Sequence, residues 1–355
     1  MHCSSLGEYE QGLPVFENLK EKYTDHKIVL TFISPSGYEI KKTSSIADLV
    51  TYLPLDSNKN VKRFLKSLNP KLVVFVKNEI WPNYIKYIKK YEIKSALICG
   101  LFKKNQIKFS LPFNILANSI LKFDYILVQD EESKNIIKSL GHNNTYVCGD
   151  TRFDRTANIL SQNEAVKYID EFKSDKLCLV AGSIWKEDQI ILVDYINRSK
   201  ENIKFVLVPH EIDENKIHKL RNSINKPSIL YSEISEKNIH SNILIIDNVG
   251  ILARLYKYAD IAYVGGGMGK SGLHNTLEPA VFGIPIIIGK NYSKFSEAKK
   301  MINLGGMFSV NNAKEFEEHF ESLIKSKSKA AEIGQINSNF VLENKGATKK
   351  IMSHL

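Results

Sequence analysis

Cysteine is scarce in this chain. Four of 355 residues are cysteine: Cys3, Cys99, Cys148 and Cys178. They lie far apart, and no C-x-x-C pair occurs, which excludes a disulfide-built scaffold and the usual cysteine zinc sites. Three of them sit in or beside apolar runs and read as buried thiols of a reducing compartment. Long apolar stretches are also missing. No uninterrupted run approaches the roughly 20 residues of a membrane-spanning helix, and no secretory leader is visible. There is no H-E-x-x-H, no EF-hand loop and no D-x-D flanked by apolar strands, and His2, His26, His142, His240 and His354 have no partners at ligand spacing. Gly269-Lys270-Ser271 lacks the upstream glycine of a phosphate-binding P-loop. Metal hydrolysis and P-loop nucleotide hydrolysis therefore have no support, and a nicotinamide dinucleotide fingerprint is poorly supported. No repeat or low-complexity segment is present.

What is present is a globular composition, 43% hydrophobic and 25% charged, with a net charge of +10. The length suits two domains with separate cores. The positive charge favours anionic partners: nucleic acid, an anionic bilayer or a phosphorylated substrate. It is equally consistent with lysines solvated on helix faces.

Short β-branched runs alternate with amphipathic stretches throughout. Strands are expected at Ile28–Ser34, Leu72–Val76, Ser95–Cys99, Tyr125–Gln129 and Tyr146–Cys148. A second series follows at Leu177–Ala181, Phe205–Val208, Ile243–Ile246, Ile261–Val264 and Pro285–Ile288. Helical periodicity falls at Glu8–Tyr23, Lys59–Leu68, Trp81–Lys90, Glu131–Leu140 and Lys186–Arg198. Such alternation specifies parallel sheets built from βαβ units. The two series divide near Gly149-Asp150-Thr151-Arg152-Phe153-Asp154. The expectation is an α/β protein of two doubly wound Rossmann-like domains facing a cleft, 1–152 and 153–355, with the last helix returning to the first domain. Ligands of such sheets bind beyond the carboxyl ends of the strands.

The most informative segment is Gly265-Gly266-Gly267-Met268-Gly269-Lys270-Ser271-Gly272-Leu273-His274-Asn275-Thr276-Leu277-Glu278-Pro279. It joins the run Ile261–Val264 to a helix. A glycine-rich turn lets backbone approach a phosphate, and a helix N-terminus offers unpaired N–H groups to hold it. Glu278, one turn on, is placed to accept from vicinal sugar hydroxyls. Gly267, Gly272, Asn275, Thr276, Leu277 and Glu278 are thus candidate nucleotide ligands. Two other strand ends add to them: Pro209-His210 after Phe205–Val208, and Val249-Gly250-Ile251 after Ile243–Ile246.

The first half carries candidate chemistry. Ser5-Leu6-Gly7-Glu8 reads as a helix capping box, or as a general base, Glu8, kept ionised by the helix dipole. Glu79 follows an apolar strand in Val76-Lys77-Asn78-Glu79-Ile80-Trp81-Pro82-Asn83. Trp81 is either a core residue or a plane for sugar stacking. Arg152 and Arg155 stand between the domains, where a guanidinium binds phosphate bidentately or forms a salt bridge with Asp150 or Asp154.

Taken in order, these segments resemble the Kdo (3-deoxy-D-manno-octulosonic acid) transferases. The likeness rests on His2-x-x-Ser5-x-Gly7-Glu8, on Thr31–Tyr38, on Asn78-Glu79-x-Trp81-Pro82-Asn83, on Val128-Gln129-Asp130, on Gly149–Asp154 and on His274-Asn275-Thr276-Leu277-Glu278-Pro279-Ala280. It covers nearly the whole chain. It implies a GT-B fold and inverting transfer of Kdo from CMP-Kdo to a lipid A precursor, with no metal and no nucleic-acid partner, at the cytoplasmic face of an inner membrane. By motif, Glu8 matches the catalytic base, and Glu79 and Arg152 match residues that stabilise the transition state. Pro209-His210, Val249-Gly250-Ile251 and Asn275 to Glu278 match segments that contact CMP.

The sequence departs from that family in three places. The membrane-anchoring segment and first strand that usually precede the His2 motif are missing, so a misplaced start, a trimmed chain or peripheral attachment is expected. Pro209-His210 stands where Pro-Arg-His is common. Ile251 stands where an acidic residue is common. Lys103, Lys104 and Lys108, among Phe102, Phe109, Leu111 and Phe113, suit an anionic bilayer surface or, alternatively, an amphipathic helix on the core. Another GT-B enzyme acting on UDP-sugars, as transferase or epimerase, and a non-catalytic nucleotide or nucleic-acid binder are the other readings of the same residues.

Overall fold

The computed structural model describes residues 1–103, 115–161 and 164–355. These divide into two compact units, Met1–Arg155 with Asn344–Leu355, and Thr156–Glu343.

The first unit is a parallel sheet. Strand β1 (Val29–Phe32) pairs with β2 (Leu49–Tyr52), and β3 (Leu72–Val76), β4 (Lys94–Gly100), β5 (Tyr125–Val128) and β6 (Thr145–Val147) follow in order. Residues Met1 to Cys3 join the two pieces. His2 bridges Thr31 on one side and Phe75 on the other, with His2 N–H donating to Val74 and Cys3 N–H donating to Thr31. The sheet thus reads β2-β1-(1–3)-β3-β4-β5-β6. Strand residues alternate between its faces, as the pleat requires. Val74, Val76 and Ile98 pack with Val15, Phe16 and Leu19 of the helix Leu6–Lys22. Phe75, Leu97 and Ile126 pack on the other side with Val61, Leu65, Tyr84 and Ile88. Each of these buried side chains contributes roughly 1.5–3 kcal/mol. The C-terminal helix Ala347–Met352 belongs to this unit: Asp154 accepts from the N–H groups of Gly346 and Thr348 at 2.7 and 3.1 Å, and Ile351 and Leu355 enter the core.

The second unit is a seven-stranded parallel sheet. Its strands are β7 (Cys178–Ile184), β8 (Lys204–Pro209), β9 (Ser228–Leu230), β10 (Ile243–Ile245), β11 (Ile261–Val264), β12 (Ile286–Gly289) and β13 (Met307–Val310), in the order β13-β12-β11-β7-β8-β10-β9. Its central strands are apolar on both faces because helices cover both.

Strands β2, β9 and β13 go beyond the series expected from sequence, and each is a sheet edge. An edge strand buries less of itself and lacks the continuous apolar run that marks a central one. In β2 all four residues are half-buried or exposed. All four cysteines are buried and free. Burial lifts the Cys99 and Cys178 thiols to about 12 and Cys148 to about 11. No helix among the described residues is long and apolar enough to cross a membrane. Phe102 is buried beside Ser133, not presented to a surface, whereas Lys103 is exposed. Lys104, Lys108, Phe109, Leu111 and Phe113 lie outside the described residues.

Candidate active site at two topological switch points

In each unit the chain reverses its direction of sheet growth once. A crevice opens there between the loops of two neighbouring strands. In the first unit the reversal lies between Met1–Cys3 and β3, so the following loops are Ser4–Glu8 and Lys77–Trp81. In the second it lies between β7 and β11, flanked by Trp185–Asp188 and Gly265–Gly272. A non-glycine residue sits in left-handed backbone at each: Lys77 with φ 67° and Ser183 with φ 53°. Strain of this kind costs on the order of 1–3 kcal/mol and collects at functional sites.

Around the first switch point the groups are charged. Glu79 Oε2 accepts the Trp81 indole N–H at 2.9 Å and lies 3.5 Å from His2 Nε2. The other His2 ring nitrogen meets the Thr31 hydroxyl at 2.9 Å. Burial alone would lift the Glu79 carboxyl, but hydrogen bonds from His2, Ser4 and Trp81 outweigh it, and the net shift is downward. Trp81 is half-buried and meets the His2 ring edge-on at 5.9 Å. Glu8 closes the capping box: its Oε2 accepts from Ser5 N–H at 2.8 Å and from the Ser5 hydroxyl at 3.1 Å. It remains half-buried. Burial pushes the Cys3 thiol well up, and the negative charges of Glu8 and Glu79 add to that rise.

One helical turn beyond Glu8, on the same face, Gln11 donates to Asp150 Oδ1 at 2.9 Å. Asp150 Oδ2 in turn receives Arg152 Nε at 2.9 Å, with Arg152 Nη2 at 2.7 Å. Glu8, Glu79 and the Asp150–Arg152 pair are therefore gathered round the start of one helix. Arg155 pairs with Glu10 at 2.7 Å.

Around the second switch point backbone amides and neutral rings stand beside Lys186 and the buried Asp188. The glycines are required chiefly by packing. A Cβ on Gly265 would stand 2.4 Å from the Ser183 carbonyl oxygen, and one on Gly267 would stand 2.9–3.0 Å from the backbone of Gly289. Gly266 has φ +88°, and Gly272 has φ +96°. The helix after the loop is a single turn, Leu277–Ala280. It is too short to supply the dipole expected from sequence, so any anion site here rests on the loop. Asn275 links the end of that loop: its side chain donates to Glu278 Oε1 at 3.0 Å and accepts Leu277 N–H at 3.1 Å. Thr276 is fully buried, and its hydroxyl has no hydrogen-bond partner among the described residues.

His210 stacks on Trp185 at 4.4 Å and lies 4.4 Å from His274. The Trp185 indole N–H donates to His274 Nε2 at 2.9 Å. Burial first, then the neighbouring His210, pushes the His274 imidazole down to about 4; burial also lowers His210. Both are neutral at physiological pH. A cavity of about 630 Å³ opens beside these rings, lined by Trp185, Lys186, Gln189, Pro209, His210 and Lys216 among others. Val249 is exposed, Gly250 has φ +90°, and Ile251 is buried.

Comparison with known proteins places this sequence in a family. The family described as 3-deoxy-D-manno-octulosonic-acid transferase (kdotransferase) matches residues 1–155. A 3-deoxy-D-manno-octulosonic acid transferase of Aquifex aeolicus is 32% identical over 334 residues, covering 92% of this chain and 86% of that one. The chain belongs to the Kdo transferase family. A second member, from Haemophilus influenzae, is 28% identical and covers 100% of this chain and 86% of its own. As a Kdo-family enzyme the protein is a glycosyltransferase. Its fold is GT-B: the UDP-GlcNAc 2-epimerase of Neisseria meningitidis, bound to UDP-GlcNAc, superposes with a TM-score of 0.68 over 99% of this chain and 97% of its own, at 15% identity.

His2, Trp185, Asp188 and His274 enter the site although sequence reasoning assigned them no role. His2 carries a signal only as the first letter of its motif. Trp185 and Asp188 carry the weak signal of a residue pair three apart at a helix start.

Proposed function

We propose that this enzyme transfers Kdo from CMP-Kdo to a lipid A precursor, with inversion at the anomeric carbon. The observation that carries the reading is the convergence of Glu8 and Glu79 at the first switch point, beside Arg152, in a chain of the Kdo transferase family.

The acceptor hydroxyl oxygen forms the new bond to the anomeric carbon and gives its proton to Glu8. The bond from that carbon to the CMP phosphate oxygen breaks, and CMP leaves with the electron pair. Positive charge grows on the sugar as negative charge grows on CMP. Glu79, held ionised by its hydrogen bonds, faces the first charge. Arg152, oriented by Asp150, faces the second. Preorganised charges of this kind supply the largest share of such rate enhancements. General base catalysis adds a factor of about 10²–10⁴.

On this reading the glycine-rich loop and Asn275 to Glu278 hold the phosphate and ribose. Pro209-His210 and Val249-Gly250-Ile251 hold the base. Neutral His210 and His274 then serve as hydrogen-bonding and stacking surfaces, not as cations. No metal is invoked. On the same reading the enzyme works at the cytoplasmic face of the inner membrane, where its positive charge suits an anionic surface.

The test is incubation with CMP-Kdo and tetra-acylated lipid A precursor. Transfer that persists in EDTA and is lost in Glu8→Ala, with CMP still bound, supports the reading. Preference for UDP over CMP, or binding without turnover, sinks it.

A further inference from the structure

Asp188 is a fully buried carboxylate that the reaction above does not use. Its Oδ2 accepts the N–H groups of Trp185 at 2.9 Å and Gly266 at 2.8 Å, and its Oδ1 accepts the Tyr263 hydroxyl at 2.8 Å. A helix-capping carboxylate needs only the amide of its own turn, here Trp185. The other donors lie 75 and more residues away, across the switch point, at the end of β11 and in the glycine-rich loop. A buried carboxylate is tolerated only when it is saturated in this way, and a saturated one fixes every group that serves it.

The same turn grips the loop a second time. Trp185 holds His274 through the indole N–H, and His274 N–H donates to the Gly265 carbonyl at 3.1 Å, closing the neck of the loop. Residues 266–273 are therefore an excursion anchored at 266 by Asp188 and at 274 by Trp185.

We infer that Asp188 is a positioning residue for the glycine-rich loop, holding its amides in the ligand-binding arrangement before any ligand arrives. As a statement about the donor phosphate, this rests on the proposed CMP-Kdo reading. As a statement about the loop, it stands apart from it. A loop ordered in advance loses no conformational freedom on binding and keeps its dipoles aimed as charge develops on the leaving phosphate.

Two measurements on the full chain test this. Without ligand, Asp188→Asn speeds hydrogen exchange of the amides in 266–273 about tenfold, while amides of β8 and of the first unit keep their rates. The affinity of CMP relative to cytidine, which isolates the phosphate, falls about tenfold, with cytidine itself within twofold. Tyr263→Phe removes one donor and leaves the carboxylate; it lowers the same ratio about threefold and carries the test if Asp188→Asn does not fold. Unchanged loop exchange and an unchanged or increased ratio overturn the inference. So does a parallel loss of CMP and cytidine together with protection throughout the second unit, which marks a purely structural role. If the unsubstituted protein binds neither compound, the CMP-Kdo reading fails, and the exchange measurement still decides the role of Asp188.

Discussion

Both units are doubly wound parallel sheets, and they differ in what they place at the switch point. At the first switch point the chain presents ionisable side chains: Glu8 in a capping box, Glu79 held by Trp81 and His2, and Arg152 tied to Asp150. At the second it presents glycine backbone packed against backbone, and rings kept neutral by burial. A parallel doubly wound sheet provides a crevice in both cases, and the residues at the strand ends decide whether it suits proton transfer or recognition of a phosphate and a base.

Substitution at the first switch point should give the largest effects. Glu8→Gln is expected to lower turnover by about 10²–10⁴ while CMP affinity stays within about threefold. Ser5→Ala breaks the same capping box and costs about 1 kcal/mol of stability, but leaves turnover within several-fold. Steady-state kinetics of the pair separate the cap from the base, and equal losses of turnover would reduce Glu8 to a cap. Glu79→Gln comes next. It keeps the shape and one acceptor for Trp81 while removing the charge, and turnover is expected to fall on the order of 10²-fold, as for the loss of one preorganised electrostatic contact.

At the second switch point the same logic predicts a binding and stability defect. In Gly267→Ala the new methyl meets the backbone of Gly289, so the second unit should lose about 1–3 kcal/mol. Hydrogen exchange should rise in β11 and β12 and not in β3 or β4, with CMP affinity falling in parallel. A loss of turnover with normal CMP affinity would contradict the division of labour.

The smallest expected effect is a difference in acid sensitivity. His274 is pushed down to about 4 in the folded protein, so between pH 6.5 and 4 the unfolded chain takes up a proton that the folded one refuses. Its stabilising contribution is therefore lost as pH falls through that window, and that of His210 is lost in the same direction. Glu79 is depressed, so its contribution is present above the ordinary carboxylate range and is lost only as pH falls through its lower folded value. The indole N–H resonances of Trp185 and Trp81 report the two sites separately. The Trp185 signal should change first on acidification, and simultaneous change would remove this distinction.

Much of the architecture is legible from local pattern. The central strands β3 and β11 and the helix Lys186–Arg198 fall where apolar periodicity places them, because a residue flanked by helices on both faces must be apolar whatever its neighbours. Edge strands β2, β9 and β13 escape that rule. Glu8 and Glu79 stand out as acidic residues at strand ends, and motif spacing marks them. His2 as the partner of Glu79, and Asp188 as the anchor of a loop 78 residues away, could not be read from spacing, because their contacts are set by which strands become neighbours.

The sequence by itself determined the parallel βαβ plan, the buried and unreactive cysteines, the Kdo-transferase motifs and the glycine-rich loop, since each depends on residue type or short spacing. Only the tertiary structure decided that those glycines serve backbone packing, that the following helix is one turn long, that Glu8 closes a cap while Glu79 meets Trp81 and His2, and that Asp188 and Trp185 hold the loop from across the switch point. Those outcomes depend on strand order and on groups distant in sequence, and local propensity carries no information about either.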